Sequence, residues 1–160
     1  MGFKQMGFKQ EYFPPERLEP LRACCTRRVR FEEIDPLGIV WHGRYPSYFE
    51  DGRTAFGDRY GLSYKNFREN GVAAPVVQMH IDYRTPLRFD ETITIEASLH
   101  WSEALKLNFS YRILKQDGAL AASGYTVQLL TDFQGGLLLT PPEFIQEFRD
   151  KWQDGSLFHE

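Results

Sequence analysis

Eight consecutive residues, Asp35-Pro36-Leu37-Gly38-Ile39-Val40-Trp41-His42, place a carboxylate, a bend and an imidazole directly ahead of an aromatic amphipathic stretch. A carboxylate can attack an acyl carbon itself or take a proton from water. The start of a helix supplies backbone N–H groups that have no partner inside the helix, and these favour developing negative charge. A nucleophile or base beside such donors is equipment for attack on a carbonyl. The plainer reading is that Asp35 caps a turn, since Asp-Pro is common turn chemistry. The whole octapeptide, with its spacing, favours the chemical reading.

The elements that must position this segment are legible from periodicity. Residues 28–34 (Arg-Val-Arg-Phe-Glu-Glu-Ile) alternate as a half-buried strand does, and Asp35-Pro36 ends it. Tyr45, Tyr48, Phe49, Gly52, Phe56 and Tyr60 follow helical spacing, with Pro46 in the first turn and Gly61 as the stop. A shorter helical turn is expected over residues 64–69, closed by Asn70-Gly71. The period then changes to two. Val77, Met79, Ile81 and Tyr83 form one row, Ile93, Ile95, Ala97 and Leu99 a second, and Leu105, Leu107, Phe109, Tyr111 and Ile113 a third. Asp117-Gly118 is a hairpin turn, and a last strand runs over residues 120–130. Pro141-Pro142 precedes an amphipathic helix with Phe144, Ile145, Phe148 and Trp152 on one side. One strand, one long helix and four further strands imply an α+β domain, a five-stranded sheet curled around the aromatic helix. Its edges invite dimerisation.

Composition narrows the function classes. At 160 residues the chain fits one domain, and its net charge of −3 gives no reason to expect nucleic acid or an anionic membrane. No apolar run approaches the ~20 residues of a membrane span, and the first residues do not read as a secretory signal. Cys24 and Cys25 are adjacent, a poor geometry for a disulfide, so a reducing cytoplasm is expected. No His, Cys, Asp and Glu spacing suits a metal, and neither metal nor cofactor is expected. Met1 to Gln5 are repeated as Met6 to Gln10, which reads as an alternative start or an expression artefact and is expected to be mobile. The segment to Ala23, with three prolines, is expected to be an irregular arm (1–23) ahead of the domain proper (24–160).

Asp35-Pro36-Leu37-Gly38-Ile39-Val40-Trp41-His42, followed by Tyr45 and Tyr48-Phe49-Glu50, resembles the hotdog-fold acyl-CoA thioesterases of the hydroxybenzoyl-CoA thioesterase type, a group that includes the Tol-Pal-associated enzymes. The likeness runs from about Val29 to about Leu130. It implies a hotdog fold and a homodimer or homotetramer. It also implies that Asp35 acts on the thioester as nucleophile or base, with backbone amides around Trp41 and His42 as oxyanion donors. His42 has two readings, a catalytic or positioning imidazole and a structural one. Tyr45, Tyr48 and Phe49 could contact a short, medium or aryl acyl chain, or form helix-to-sheet core. Coenzyme A phosphates need cations, for which Arg84, Arg88 and Lys106 are the candidates. The turn Trp101-Ser102-Glu103-Ala104 lacks the positive run seen in relatives, which leaves an acyl-carrier-protein substrate open. A hotdog dehydratase or isomerase, and a non-catalytic acyl-thioester binder, are the competing readings. His80 and His100 lie on strands and read as packing or surface residues; Glu50 and Arg53 read as a solvated helix face.

Overall fold

The computed structural model describes residues 12–158; the repeated start lies outside them. Strand β1 is Leu21–Arg28, helix α1 Tyr45–Tyr60 and helix α2 Tyr64–Glu69. Strands β2 (Val76–Tyr83), β3 (Thr92–His100), β4 (Lys106–Leu114) and β5 (Leu120–Leu129) follow, and helix α3 (Glu143–Gln153) comes last. The five strands form one sheet in the order β1-β3-β4-β5-β2, every pair antiparallel.

One face of α1 makes the core, as the helical spacing predicts. Tyr48, Phe49, Gly52 and Phe56 are buried against Ile93, Ile95 and Ala97 of β3 and Phe109, Tyr111 and Ile113 of β4. Phe49 stacks on Tyr111 with ring centroids 4.3 Å apart, and Phe56 meets Phe109 edge-on at 5.0 Å. The helix packs across β1, β3 and β4, so its first turn is delivered to the end of the sheet where β1 finishes and β3 begins. Helix α3 closes the opposite end: Ile145, Phe148 and Trp152 are buried, and Trp152 sits edge-on to Trp101 at 5.1 Å.

The strand expected over residues 28–34 is not there. β1 runs over Leu21–Arg28, pairing Leu21 with Leu99 and Ala23 with Ala97, and the chain then makes a short 3₁₀ turn, Phe31–Glu33. The alternation misled because the buried and exposed residues are of the wrong types: Phe31 is 79% exposed, whereas Glu33 is 2% exposed. The arm therefore ends before Leu21, and the expected boundary between residues 23 and 24 falls inside β1. From Tyr12 onward the arm is docked on the sheet face that α1 does not cover. The Tyr12 hydroxyl is 2.6 Å from both Asp82 Oδ2 and Ser123 Oγ, and Phe13 packs on His100 and Tyr125.

Candidate active site

Asp35 sits in a short hairpin between β1 and α1. Ile34 and Val40 form an antiparallel bridge, Asp35 N–H donates to the Ile39 carbonyl at 2.9 Å, and Gly38 N–H donates to the Asp35 carbonyl at 2.9 Å. Proline suits the second position of such a turn, and Gly38 takes a φ of +76° that disfavours any side chain. Leu37 N–H donates to Asp35 Oδ1 at 2.8 Å. The turn-capping role of Asp35 is therefore real, but it occupies one carboxylate oxygen. Among the described residues Oδ2 has no hydrogen-bond partner and the carboxylate is in no ion pair.

The return arm of the hairpin leads into the helix. Val40 N–H donates to Leu87 O at 2.8 Å, and Trp41 N–H donates to Glu33 O at 2.9 Å. A 3₁₀ turn, His42–Arg44, then runs directly into α1. The Trp41 amide, expected as an oxyanion donor, is thus taken by the bond that closes the hairpin. The amides of His42 and Gly43 lead the turn, where its own bonding pattern provides no acceptor for them. Gly43 was not singled out from sequence. A Cβ there would lie 2.3 Å from the Trp41 ring, so the ring covers this position only because it is glycine.

His42 is exposed, with its ring 5.1 Å from Trp41 and 6.5 Å from Tyr83. Its carbonyl accepts a hydrogen bond from the Tyr83 hydroxyl at 2.7 Å, which ties the turn to the end of β2. Among the described residues no hydrogen bond joins His42 to Asp35.

Of the three aromatic residues expected to meet substrate, Tyr48 and Phe49 are 0% exposed and belong to the core. Tyr45 is also buried, edge-on to Tyr83 at 4.8 Å, and burial pushes its hydroxyl up to about 12, Tyr83 adding to the effect. Trp41 and Tyr83, both partly exposed, are the aromatic surfaces that the turn presents to solvent. Burial, then the charge of Glu33, raises the Tyr48 hydroxyl far above the ordinary tyrosine range. That hydroxyl has no hydrogen-bond partner among the described residues.

The three candidate cations do not converge in one chain. Arg84 and Arg88 lie on the loop after β2, which is bonded to the hairpin through Leu87 and to Val29 through Asp90 and Glu91. Lys106 opens β4 opposite Leu129, whereas Tyr83 pairs with Ala122. That places Lys106 about 23 Å along β5 from the Asp35 end, at ~3.3 Å per residue. Nearer the hairpin, a surface hollow of about 820 Å³ is lined by Arg27, Arg28, Arg30, Phe31 and Phe89 among others; neither Asp35 nor His42 lines it. Among the described residues no three His, Cys, Asp or Glu side chains gather as metal ligands. Among the described residues no helix is long and apolar enough to cross a membrane.

A five-stranded antiparallel sheet around one long helix is the hotdog fold. Known proteins agree. Residues 29–148 match the thioesterase-like superfamily, and the chain belongs to that family. YneP of Bacillus subtilis is 30% identical over 122 residues, covering 76% of this chain and 86% of YneP. The acyl-CoA thioester hydrolase YbgC of Escherichia coli O157:H7 is 28% identical over 93 residues, covering 58% and 69% respectively. The DHNA-CoA thioesterase of Staphylococcus aureus superposes with a TM-score of 0.76 at 21% identity, covering 87% of this chain and 95% of that one.

Proposed function

We propose that this protein hydrolyses the thioester of a short-chain, medium-chain or aryl acyl-coenzyme A, with Asp35 as the reacting carboxylate. The observation that carries the reading is the state of that side chain. One oxygen is fixed by Leu37 N–H, and the other has no partner among the described residues, in a hairpin whose far arm leads to the start of α1. As base, Asp35 takes a proton from water, the hydroxide adds to the acyl carbon, and the C–S bond breaks as the proton passes to the departing thiolate. As nucleophile, Asp35 forms the new C–O bond itself, releasing thiolate and leaving an anhydride that water then cleaves. In either route the His42 and Gly43 amides stabilise the tetrahedral oxyanion, a donor of this kind being worth about 3 kcal/mol of barrier. His42 is given a positioning role for its side chain, and Arg84 and Arg88, beside the hairpin, are the cations for the coenzyme A phosphates.

The relatives support coenzyme A as the carrier. The edge of β2, where Val76, Val77, Met79 and Tyr83 are exposed, supports a homodimer. The unpaired thiols of Cys24 and Cys25 support a cytoplasmic location.

The deciding experiment is a hydrolysis panel of short-chain, medium-chain and aryl thioesters, on coenzyme A and on acyl carrier protein, followed with a thiol reporter. Turnover of the coenzyme A conjugates is expected. Preference for the carrier-protein conjugates would move the substrate assignment, an enoyl product from a hydroxyacyl thioester would replace hydrolysis with dehydration, and binding without turnover would end the catalytic reading. Label in Asp35 after single turnover in ¹⁸O water identifies the nucleophile route with water attacking the Asp35 carbonyl, and rapid quench with hydroxylamine, which converts an acyl-Asp35 anhydride to a hydroxamate, identifies the nucleophile route whichever carbonyl water attacks. Light scattering on the purified chain tests the dimer.

A further inference from the structure

Glu33 is a buried carboxylate that the hydrolysis itself does not use. It is 2% exposed, and both of its oxygens are engaged. Oε1 accepts from Arg30 N–H at 2.8 Å, and Oε2 accepts from Arg27 Nη2 at 2.8 Å. Arg27 reaches Glu33 from the end of strand β1, and its guanidinium lies over the Tyr48 ring of α1, 4.7 Å from the centroid. Its other terminal nitrogen donates to Asp51 Oδ2 of α1 at 2.7 Å. The Glu33 main chain meanwhile holds the hairpin shut by accepting from Trp41 N–H. One residue thus joins β1 and, through Arg27, α1 to the base of the loop that carries Asp35 on one arm and the His42 and Gly43 amides on the other.

A buried ion pair is a poor source of net stability, because desolvation offsets most of the attraction. What it gives here is one fixed arrangement. We infer that Glu33 is a positioning residue for the thioester chemistry, its Arg27-anchored carboxylate setting the register between the Asp35 carboxylate and the His42 and Gly43 amides ahead of α1. This rests on the proposed function above. Glutamine at this position keeps the volume but turns one of the two engaged oxygens into an NH2 donor, so either the Arg30 amide or the Arg27 guanidinium loses the acceptor it faces. Arg27 retains Asp51, so the variant does not strand an unpaired buried charge.

The test compares Glu33→Gln with Asp51→Asn, which takes the charge from the other Arg27 partner, keeps an Oδ1 that accepts from Arg27, and touches nothing in the hairpin. Misplacement of reacting groups by about 1 Å can cost ~10²-fold in rate, so Glu33→Gln is expected to lower kcat about 10- to 100-fold with KM within about threefold. Exchange of the Trp41 amide hydrogen should quicken about tenfold or more, while the Ile95 amide in the core strand keeps its protection. Asp51→Asn should leave all three measures near wild type. Should Glu33→Gln not fold, Glu33→Asp, which keeps the charge and both acceptors on a shorter arm, is expected to show the same split with a loss of about 3- to 10-fold. Wild-type kcat in the glutamine variant, or a lost kcat with Trp41 protection intact, overturns the inference. If wild-type protein turns over no thioester, the functional reading fails, and Trp41 exchange alone still decides whether Glu33 holds the hairpin.

Discussion

Asp35→Asn separates chemistry from turn formation. The asparagine Oδ1 can accept from Leu37 N–H where the carboxylate does, at 2.8 Å, and Gly38 N–H still reaches the main-chain carbonyl. The hairpin should therefore persist. What changes is a charged acceptor for a neutral one at a solvent-facing turn, a difference of about 0.5–1 kcal/mol. For a domain of this size that lowers Tm by roughly 1–4 °C. The rate effect is far larger. Loss of a base or nucleophile typically costs ~10²–10⁴-fold, and a 10³-fold fall in kcat corresponds to about 4 kcal/mol of barrier. Asp35→Ala should be as inactive and should lose about 1 kcal/mol more stability, because it also deletes the turn acceptor. Reversion by deamidation does not confuse the result, since succinimide closure needs an N–H on the next residue and Pro36 has none. The assay is thiol release from the best acyl-CoA of the panel, with Tm measured on the same samples. An Asp35→Asn enzyme that keeps kcat within tenfold of wild type, its sequence confirmed by mass spectrometry, refutes the role given to this carboxylate.

Gly43→Ala puts a methyl group into space that the Trp41 ring occupies, so it should displace the ring and the adjoining amides and reduce kcat by roughly tenfold or more, with little change in Tm. Phe49→Ala opens a cavity between α1 and Tyr111 and should cost about 3–5 kcal/mol in denaturant melts, the size expected of a core aromatic. Tyr12→Phe tests the docked arm across pH. The Tyr12 bond holds the Asp82 carboxyl below its ordinary range, so this stabilisation is present above the unfolded value near ~3.9 and fades as pH falls through the folded one. Burial, then the bond to Asp82, pushes the Tyr12 hydroxyl up to about 12. Its contribution is therefore complete below the unfolded value of ~10 and lost as pH rises toward the folded one. The stability gap between wild type and Tyr12→Phe, about 1 kcal/mol, should be widest from pH ~4 to ~10 and close on both sides.

The α1, β3 and β4 segments were readable in the sequence because burial there follows residue type, whereas Val77, Met79 and Tyr83 of the β2 row are exposed. The α1 stripe from Tyr45 to Phe56 and the β3 and β4 rows are buried where their apolar spacing places them. The entry to the site was not readable, because there burial runs against type. Phe31 is turned out and Glu33 is turned in, and no local pattern announces that a carboxylate will be held inside by an arginine six residues earlier. The same tertiary contact explains why the Trp41 amide is unavailable: its acceptor, the Glu33 carbonyl, is eight residues away along the chain and adjacent only once the hairpin has closed.

The candidate site was legible to different depths for a related reason. Asp35 could be found because its role depends on its own side chain and its neighbours in the octapeptide. The oxyanion donors are main-chain groups, and every residue but proline has one. Which amides remain available is decided by the acceptors that the fold brings to them, here Glu33 O for Trp41 and none within the turn for His42 and Gly43. Tyr83 belongs to the same class: as a member of an alternating row it reads as an ordinary sheet residue, yet its hydroxyl grips the His42 carbonyl from a strand at the far edge of the sheet. The carboxylate proposed to react is thus written locally, and the frame that holds it is written in long-range pairs. Substitutions at Glu33, Gly43 or Tyr83 should for that reason alter turnover without touching any residue that the octapeptide names as the reacting acid.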